Sequence, residues 1–234
     1  LITPLTLALV VVAVCPTHAT ESEDEFTPPE HLQEGWYARI ETSMGRIVAR
    51  LLPEQAPQSV AYFTAMAEGR LEWFDPSTGE VQKGPYYDGI KIHRASAGLS
   101  FEAGDPLGTG LGTPSLYIGM EGTGPVDFSK PGRLGMAKAP TWISAVQFFV
   151  TASGQPRLTG TFPCFGVVVS GLHVVTNLSQ VKTYRNHRPI DPPVIERIRI
   201  FSVGDPPPLP EPKPYTPKLH KFEARPEMEE RHRR

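Results

Sequence analysis

One arginine stands apart in the stretch Ile90–Pro106, IKIHRASAGLSFEAGDP, where apolar alternation delivers Arg94 next to His93 and small residues follow. Arginine is rarely buried without a partner. It is always charged and presents a rigid, planar set of donors. That chemistry suits the stabilisation of a group whose hydrogen-bonding power rises during a reaction. Two partners are open to it: the carboxylate of Glu102, as a structural ion pair, or a ligand. His93 precedes Arg94 in the same strand and so faces the other way, which reads as a structural histidine with satisfied hydrogen bonds rather than an acid or base.

Other reactive patterns are weaker. GTGLG (108–112) has the look of a phosphate loop, but no lysine or helix start follows it, so it reads as a turn-rich surface loop. The remaining histidines show no paired metal spacing, and neither a metal nor a cofactor is expected. Cys164 lies in the apolar run FPCFGVVV and reads as a buried thiol packed as a small hydrophobe. A formal net charge of -2 offers no basic field for nucleic acid.

These residues need a scaffold. With 26 prolines and 21 glycines in 234 residues, short strands and turns are favoured over long helices. YARIETSMGRIVARLL alternates on both sides of Ser43-Met44-Gly45, the pattern of a hairpin. APQSVAYFTAMAEG predicts a helix, with Pro57 in its first turn, Val60, Phe63 and Ala67 on one face, and Gly69 as a left-handed cap. The stretch 70–89 reads as loop. Strand patterns return at 90–93, 116–118, 133–136, 147–151, 165–169 and 192–203, and a second helix is expected over 171–181, with Leu172, Val175 and Leu178 or Ser179 facing the sheet. Many strands with two helices point to a closed antiparallel barrel.

The order of these segments resembles the cyclophilin family of peptidyl-prolyl cis-trans isomerases, with an extra loop before YDG as in bacterial secreted members. TSMGRIVARLLPEQAPQSVAYF, YYDGIKIHR, GDPLGTGLGTP, GRLGMAKA, VQFFVTA and LTGTFPCFGVVVSGLHVV carry the resemblance, which covers roughly Tyr37 to Val203. It implies a mainly β fold: a closed, eight-stranded antiparallel barrel capped by two α-helices, with a groove on the outer wall. Arg94 occupies the position of the family's catalytic arginine. Gln147 and Phe149 match groove residues of the family's QFF, while Phe148 between them reads as core. Leu158 matches an apolar pocket residue, and Met136 and Ala137 the groove edge. Leu99 and Ser100 stand where Phe-Met is usual, Glu102 replaces a glutamine, Lys138 an asparagine, Arg157 an aromatic, and Phe162 a histidine or tyrosine. Leu99, Glu102 and Phe162 complete the expected substrate-binding set.

What the resemblance implies is isomerisation of the bond before proline, with proline-containing segments of client proteins as partners. That bond rotates against a barrier of ~18–20 kcal/mol. In the twisted state the prolyl nitrogen regains its lone pair, and a fixed donor aimed there stabilises the transition state more than the planar ground state. Arg94 is the expected donor, with Gln147 helping to position it. Phe149 and Leu158 form the apolar floor, and Leu99 gives partial cover. The alternative is a cyclophilin-fold module that binds proline peptides with little turnover, favoured by the departures at Leu99, Ser100, Glu102, Lys138 and Arg157.

The ends of the chain differ from its middle. LTLALVVVAV (5–14) is too short to span a bilayer and reads as a secretory signal ending at Ala19 or, in the alternative, a lipoprotein signal ending at Cys15. Export to the periplasm or the extracellular space is the expectation, with membrane attachment only through a lipid on Cys15. Residues 20–35 read as a flexible spacer, 36–203 as the folded domain, and 204–234, Pro-rich and then charged, as a disordered, solvated tail. A monomer is expected.

Overall fold

The computed structural model describes residues 28, 31–112, 116–121, 124–138 and 143–216; the apolar run read as a secretory signal and Cys15 lie outside them. The fold belongs to the second of two compact units, Leu1–Leu32 and Gln33–Arg234. It begins with the expected hairpin, β1 (Gly35–Thr42) and β2 (Gly45–Leu51), joined by a two-residue turn that sets Thr42 opposite Gly45. The helix α1 (Pro57–Ala67) follows. Gly69, at φ +68°, closes it in the left-handed conformation, where a side chain would strike the backbone of Gly84.

The stretch expected to be loop instead forms a separate two-stranded sheet, β3 (Glu72–Asp75) with β4 (Glu80–Lys83). Phe74 pairs with Val81 across it, and Trp73 packs edge-on against Tyr86. The alternation is short and its two central turn dipeptides dominate the sequence pattern, which hides the strands. After it come β5 (Ile90–Lys91), β6 (Arg94–Ser96), β7 (Ser100–Ala103), β8 (Tyr117–Ile118), β9 (Arg133–Lys138), β10 (Ile143–Thr151), a 3-10 turn (Pro156–Leu158), β11 (Cys164–Ser170), α2 (Leu172–Ser179) and β12 (Val194–Val203). In α2 it is Val174, Val175, Leu178 and Ser179 that are buried, while Leu172 is exposed at the helix start.

The main sheet runs β5-β12-β1-β2-β11-β9-β10-β7-β6, with β8 also on β10. Its first and last strands are two pieces of one stretch, Ile90–Ser96, so the sheet curls until its ends are joined by the chain itself. Ile92 donates to Pro193 O (2.8 Å) and His93 to Glu102 O (3.1 Å), the point where that stretch leaves β12 for β7. Counting β5 and β6 as one interrupted strand and setting β8 aside, eight strands surround the core. Phe63 of α1 fills it against Tyr87, Phe148 and Phe165, with ring centroids 5.3, 5.5 and 5.1 Å away.

Helix α1 is buried from Ser59 to Ala67, on all sides rather than on one face. The cover is the segment 205–216, expected to be a solvated tail. It has no regular secondary structure, yet it is docked. Trp36 Nε1 donates to Pro207 O (2.8 Å), Lys213 N to Gln58 Oε1 (2.7 Å) and Tyr62 Oη to Lys213 O (3.0 Å), while Leu209 packs on the core. Proline-rich chain has few N–H groups to satisfy, so a handful of side-chain contacts to its carbonyls suffices to hold it. The expectation of disorder is corrected for 205–216; residues 217–234 lie outside the described set.

Candidate functional site

β6 and β7 set Arg94 directly opposite Glu102. Arg94 Nε lies 3.1 Å from Glu102 Oε1, with the two side chains 44% and 33% exposed. Arg94 thus has the internal carboxylate, and it also lines an open groove of about 320 Å³. Among the described residues the ion pair is its one charged contact, so the guanidinium is anchored through Nε and its other donors remain for a ligand.

Strand alternation builds the floor. In β10, Phe148 points into the barrel and is fully buried, so Phe149 points out. Phe149 meets Phe162 edge-on (5.3 Å between centroids) and stacks on Phe128 (5.5 Å), and Leu158 of the 3-10 turn packs on the same cluster. The neighbouring strand makes room for them. A side chain at Gly135 of β9 would collide with the rings of Phe149 and Phe128. That glycine went unremarked in the sequence, although a glycine between two core residues, Leu134 and Met136, marks a close approach.

Leu99, 40% exposed, stands at the rim with Ser96 and Ser100. Ala137 and Lys138 line another side, as do Gln155 and Arg157. Lys138 Nζ sits 5.7 Å above the Phe162 ring. Gln155 was also missed; it is nearly buried, takes its backbone bond from N to Phe128 O (2.6 Å) and accepts from Leu158 N, so it ties the 3-10 turn to the aromatic floor.

Two expected groove residues are elsewhere. Met136 is fully buried in the barrel core, because β9 sends Leu134 and Met136 inward and Gly135 and Ala137 outward. Gln147 does not line the groove or bond Arg94; its Nε2 donates to Gly112 O (2.6 Å) and pins the end of the 105–112 loop. The loop owes the rest of its shape to Asp105, which accepts from Leu107 N (2.8 Å), Thr109 N (2.7 Å) and Thr109 Oγ1 (3.0 Å). The glycines of GTGLG thus serve a folded turn.

His93 is buried, as expected, but not satisfied: Nδ1 has no partner and Nε2 is 4.0 Å from Glu102 Oε2. Its ring edge faces Gly110, which offers no acceptor side chain. Burial lowers its pKa, Asp105 opposes and Arg94 adds to the lowering, which favours the neutral imidazole. Burial raises the pKa of Glu102, against the pull of Arg94 and His187. For Asp105 burial acts upward, but donated bonds from Leu107, Thr109 and Gly112 outweigh it and the carboxyl is lowered. Cys164 lies against Phe149 and Phe128, and burial raises its thiol to about 11, an unreactive group.

A larger hollow of about 660 Å³ lies beside the β1–β2 turn, lined by Met44, Lys182, Ile190 and Pro193 among others. No arginine and no aromatic ring lines it. The Arg94 groove, with a fixed donor set beside an apolar floor, is the stronger site.

Comparison with known proteins identifies the fold and its family. Residues 37–200 match the family model described as Cyclophilin type peptidyl-prolyl cis-trans isomerase/CLD. Peptidyl-prolyl cis-trans isomerase B of Streptomyces anulatus is 38% identical over 170 residues, covering 71% of this chain and 97% of that protein. Peptidyl-prolyl cis-trans isomerase A of Mycobacterium tuberculosis is 36% identical over 165 residues, 70% of this chain and 91% of the relative. A cyclophilin type peptidyl-prolyl cis-trans isomerase of Cryptosporidium parvum, solved in the presence of the dipeptide Ala-Pro, superposes with a TM-score of 0.60 at 28% identity, over 71% of this chain and 99% of that one.

Proposed function

The chain belongs to the cyclophilin-type peptidyl-prolyl cis-trans isomerases, and from that membership we propose that Arg94 drives the rotation by donating to the prolyl nitrogen of the twisted bond. The single observation that carries the reading is the anchoring of Arg94 through Nε to Glu102 at the rim of a groove floored by Phe149, Leu158 and Phe162. The floor holds the proline ring while the preceding carbonyl swings. As resonance is lost, the nitrogen becomes an acceptor, and the remaining guanidinium donors meet it. The planar amide has no such acceptor at nitrogen, so the interaction acts on the barrier and not on ground-state binding. Glu102 fixes the guanidinium plane, a positioning role that a glutamine can share. Leu99 covers the ring less fully than an aromatic, which weakens proline binding.

A protease-coupled assay on a proline-containing peptide tests this, with Arg94→Ala and Arg94→Lys beside the parent chain. Loss of about 10²–10³ in kcat/KM is expected for the alanine, with little recovery in the lysine because the rigid fork is gone. Turnover indifferent to both substitutions would remove the mechanism. The apolar run at Leu5–Val14 supports the further reading that clients are met outside the cytoplasm. N-terminal sequencing and mass of the protein recovered from cell fractions decide between cleavage near Ala19 and a lipid on Cys15; an unprocessed cytoplasmic product would end the export reading.

A further inference from the structure

Four charged side chains line the Arg94 groove: Arg94, Lys138, Arg157 and Glu102. Glu102 is committed to Arg94. Among the described residues no carboxylate pairs with Lys138 or Arg157, so two positive charges on the groove wall are left uncompensated. Lys138 is half-buried and Arg157 exposed at the groove mouth. Lys138 is held over the Phe162 ring, which itself meets Phe149 on the floor, and Arg157 is adjacent in the 3-10 turn to Leu158. Both flank the recess expected to grip the proline, and an apolar wall strengthens the field of a charge beside it.

We propose that this groove selects proline segments carrying a carboxylate on a residue adjacent to the proline, with Lys138 and Arg157 as the specificity-determining side chains. The proposal rests on the isomerase reading of the groove and names its substrate class. A flanking glutamate comes within reach of a cation, while a flanking lysine meets like charge from two sides and finds Glu102 already occupied. Such charge selection works largely through binding and is screened by salt, since the Debye length is ≈ 10 Å at 0.1 M.

The test is cis-trans exchange measured directly by NMR with the full chain, which avoids the preferences of a coupling protease. The probes are Ala-Glu-Pro-Ala, its Gln and Lys counterparts, and Ala-Ala-Pro-Glu against Ala-Ala-Pro-Gln. Glutamate peptides are expected to exchange about fivefold faster than their glutamine partners at low salt, and lysine peptides slower, with the contrast falling to about twofold near ~0.5 M salt. In the Lys138→Gln, Arg157→Gln double variant the Glu-to-Gln ratio falls to about one. Equal exchange of Glu and Gln peptides by the parent chain overturns the selection alone. A preference undiminished in the double variant overturns the assignment to these two residues. Failure to exchange even the Gln peptides overturns the isomerase reading on which the selection stands.

Discussion

The Arg94 groove and the strapped helix α1 solve opposite problems with similar materials. Around α1, polar groups are answered from afar. The helix has no capping side chain at Ala56, and Glu121 takes that role, accepting from Gln58 N (2.6 Å) and Ser59 N (2.9 Å). Gln58, Tyr62 and Trp36 then clamp the segment 205–216. In the groove, among the described residues, the guanidinium has one charged partner, Leu99 is exposed, and two cations have no carboxylate. Completed hydrogen bonding gives stability; donors held in place without a partner give a site that can act. The two regions should therefore respond to mutation in separate measurements.

The sharpest separation comes from Arg94→Ala. Its side chain is nearly half exposed, so its removal is expected to leave the melting temperature within about 2 °C while kcat/KM falls by about 10²–10³. A comparable loss of stability would mean that the groove, like the strap, is a structural device.

Ending the chain after Gly204 is the converse. It removes four hydrogen bonds between the strap and Trp36, Gln58 and Tyr62, together with the apolar contact that Leu209 makes with the core. At about 1 kcal/mol for each bond and for the apolar contact, the melting temperature is expected to fall by about 10–20 °C. Activity per folded molecule should be retained. An unchanged melting temperature would return the segment to the status of a passive tail.

The same contrast explains what could be read in advance. Pro57, Gly69 and the strand alternation at Phe148 are local signals, and the helix, its end and the inward face of Phe148 follow from them. The groove positions of Arg94, Phe149, Phe162 and Leu158 were legible only through the family resemblance, since no period or spacing marks them. Glu121 as the cap of α1 was not, since it lies more than sixty residues along the chain from Gln58, and capping from that distance leaves no mark on spacing. Met136 falls in the core and not at the groove edge because adjacent residues in a strand face opposite ways, which a match to the dipeptide MA does not resolve. The strap was hidden because its bonds are made by its backbone N–H and C=O groups, which every sequence has.

Leu99→Phe sharpens the comparison from the groove side. An aromatic at this rim position would cover the proline ring that Leu99 leaves partly open. A gain of about three- to tenfold in kcat/KM is expected, equivalent to about 0.7–1.4 kcal/mol of added binding, appearing mainly as a lower KM. No gain, or a loss through crowding of Arg94, would show that the groove is already closed enough for its own substrates.

The smallest effect is a matter of pH, and it concerns the one carboxylate that joins fold to function. Burial raises the pKa of Glu102 above its unfolded value, outweighing Arg94 and His187. A raised carboxyl contributes stability that is present below the unfolded value, about 4.3, and is lost as pH rises through the folded one. Holding Glu102 as an anion at neutral pH is thus a cost that Glu102→Gln relieves, so the variant should be equal or slightly more stable at about pH 7 and lose that advantage below about pH 4.3. Asp105 has the opposite sign, its lowered carboxyl failing the fold as acid protonates it, which is why the difference between variant and parent must be read and not the parent alone. Turnover follows the same proton. On acidification the parent loses the carboxylate that fixes Arg94 Nε, and kcat/KM should fall by about twofold between about pH 6 and 4, beyond any decline in the variant, whose amide oxygen accepts at every pH. His93 is buried and its Nε2 is 4.0 Å from Glu102, and burial disfavours its charged form, so it does not replace the lost contact. Parallel profiles for parent and variant would break the link, leaving Arg94 held by the strand and not by its acid.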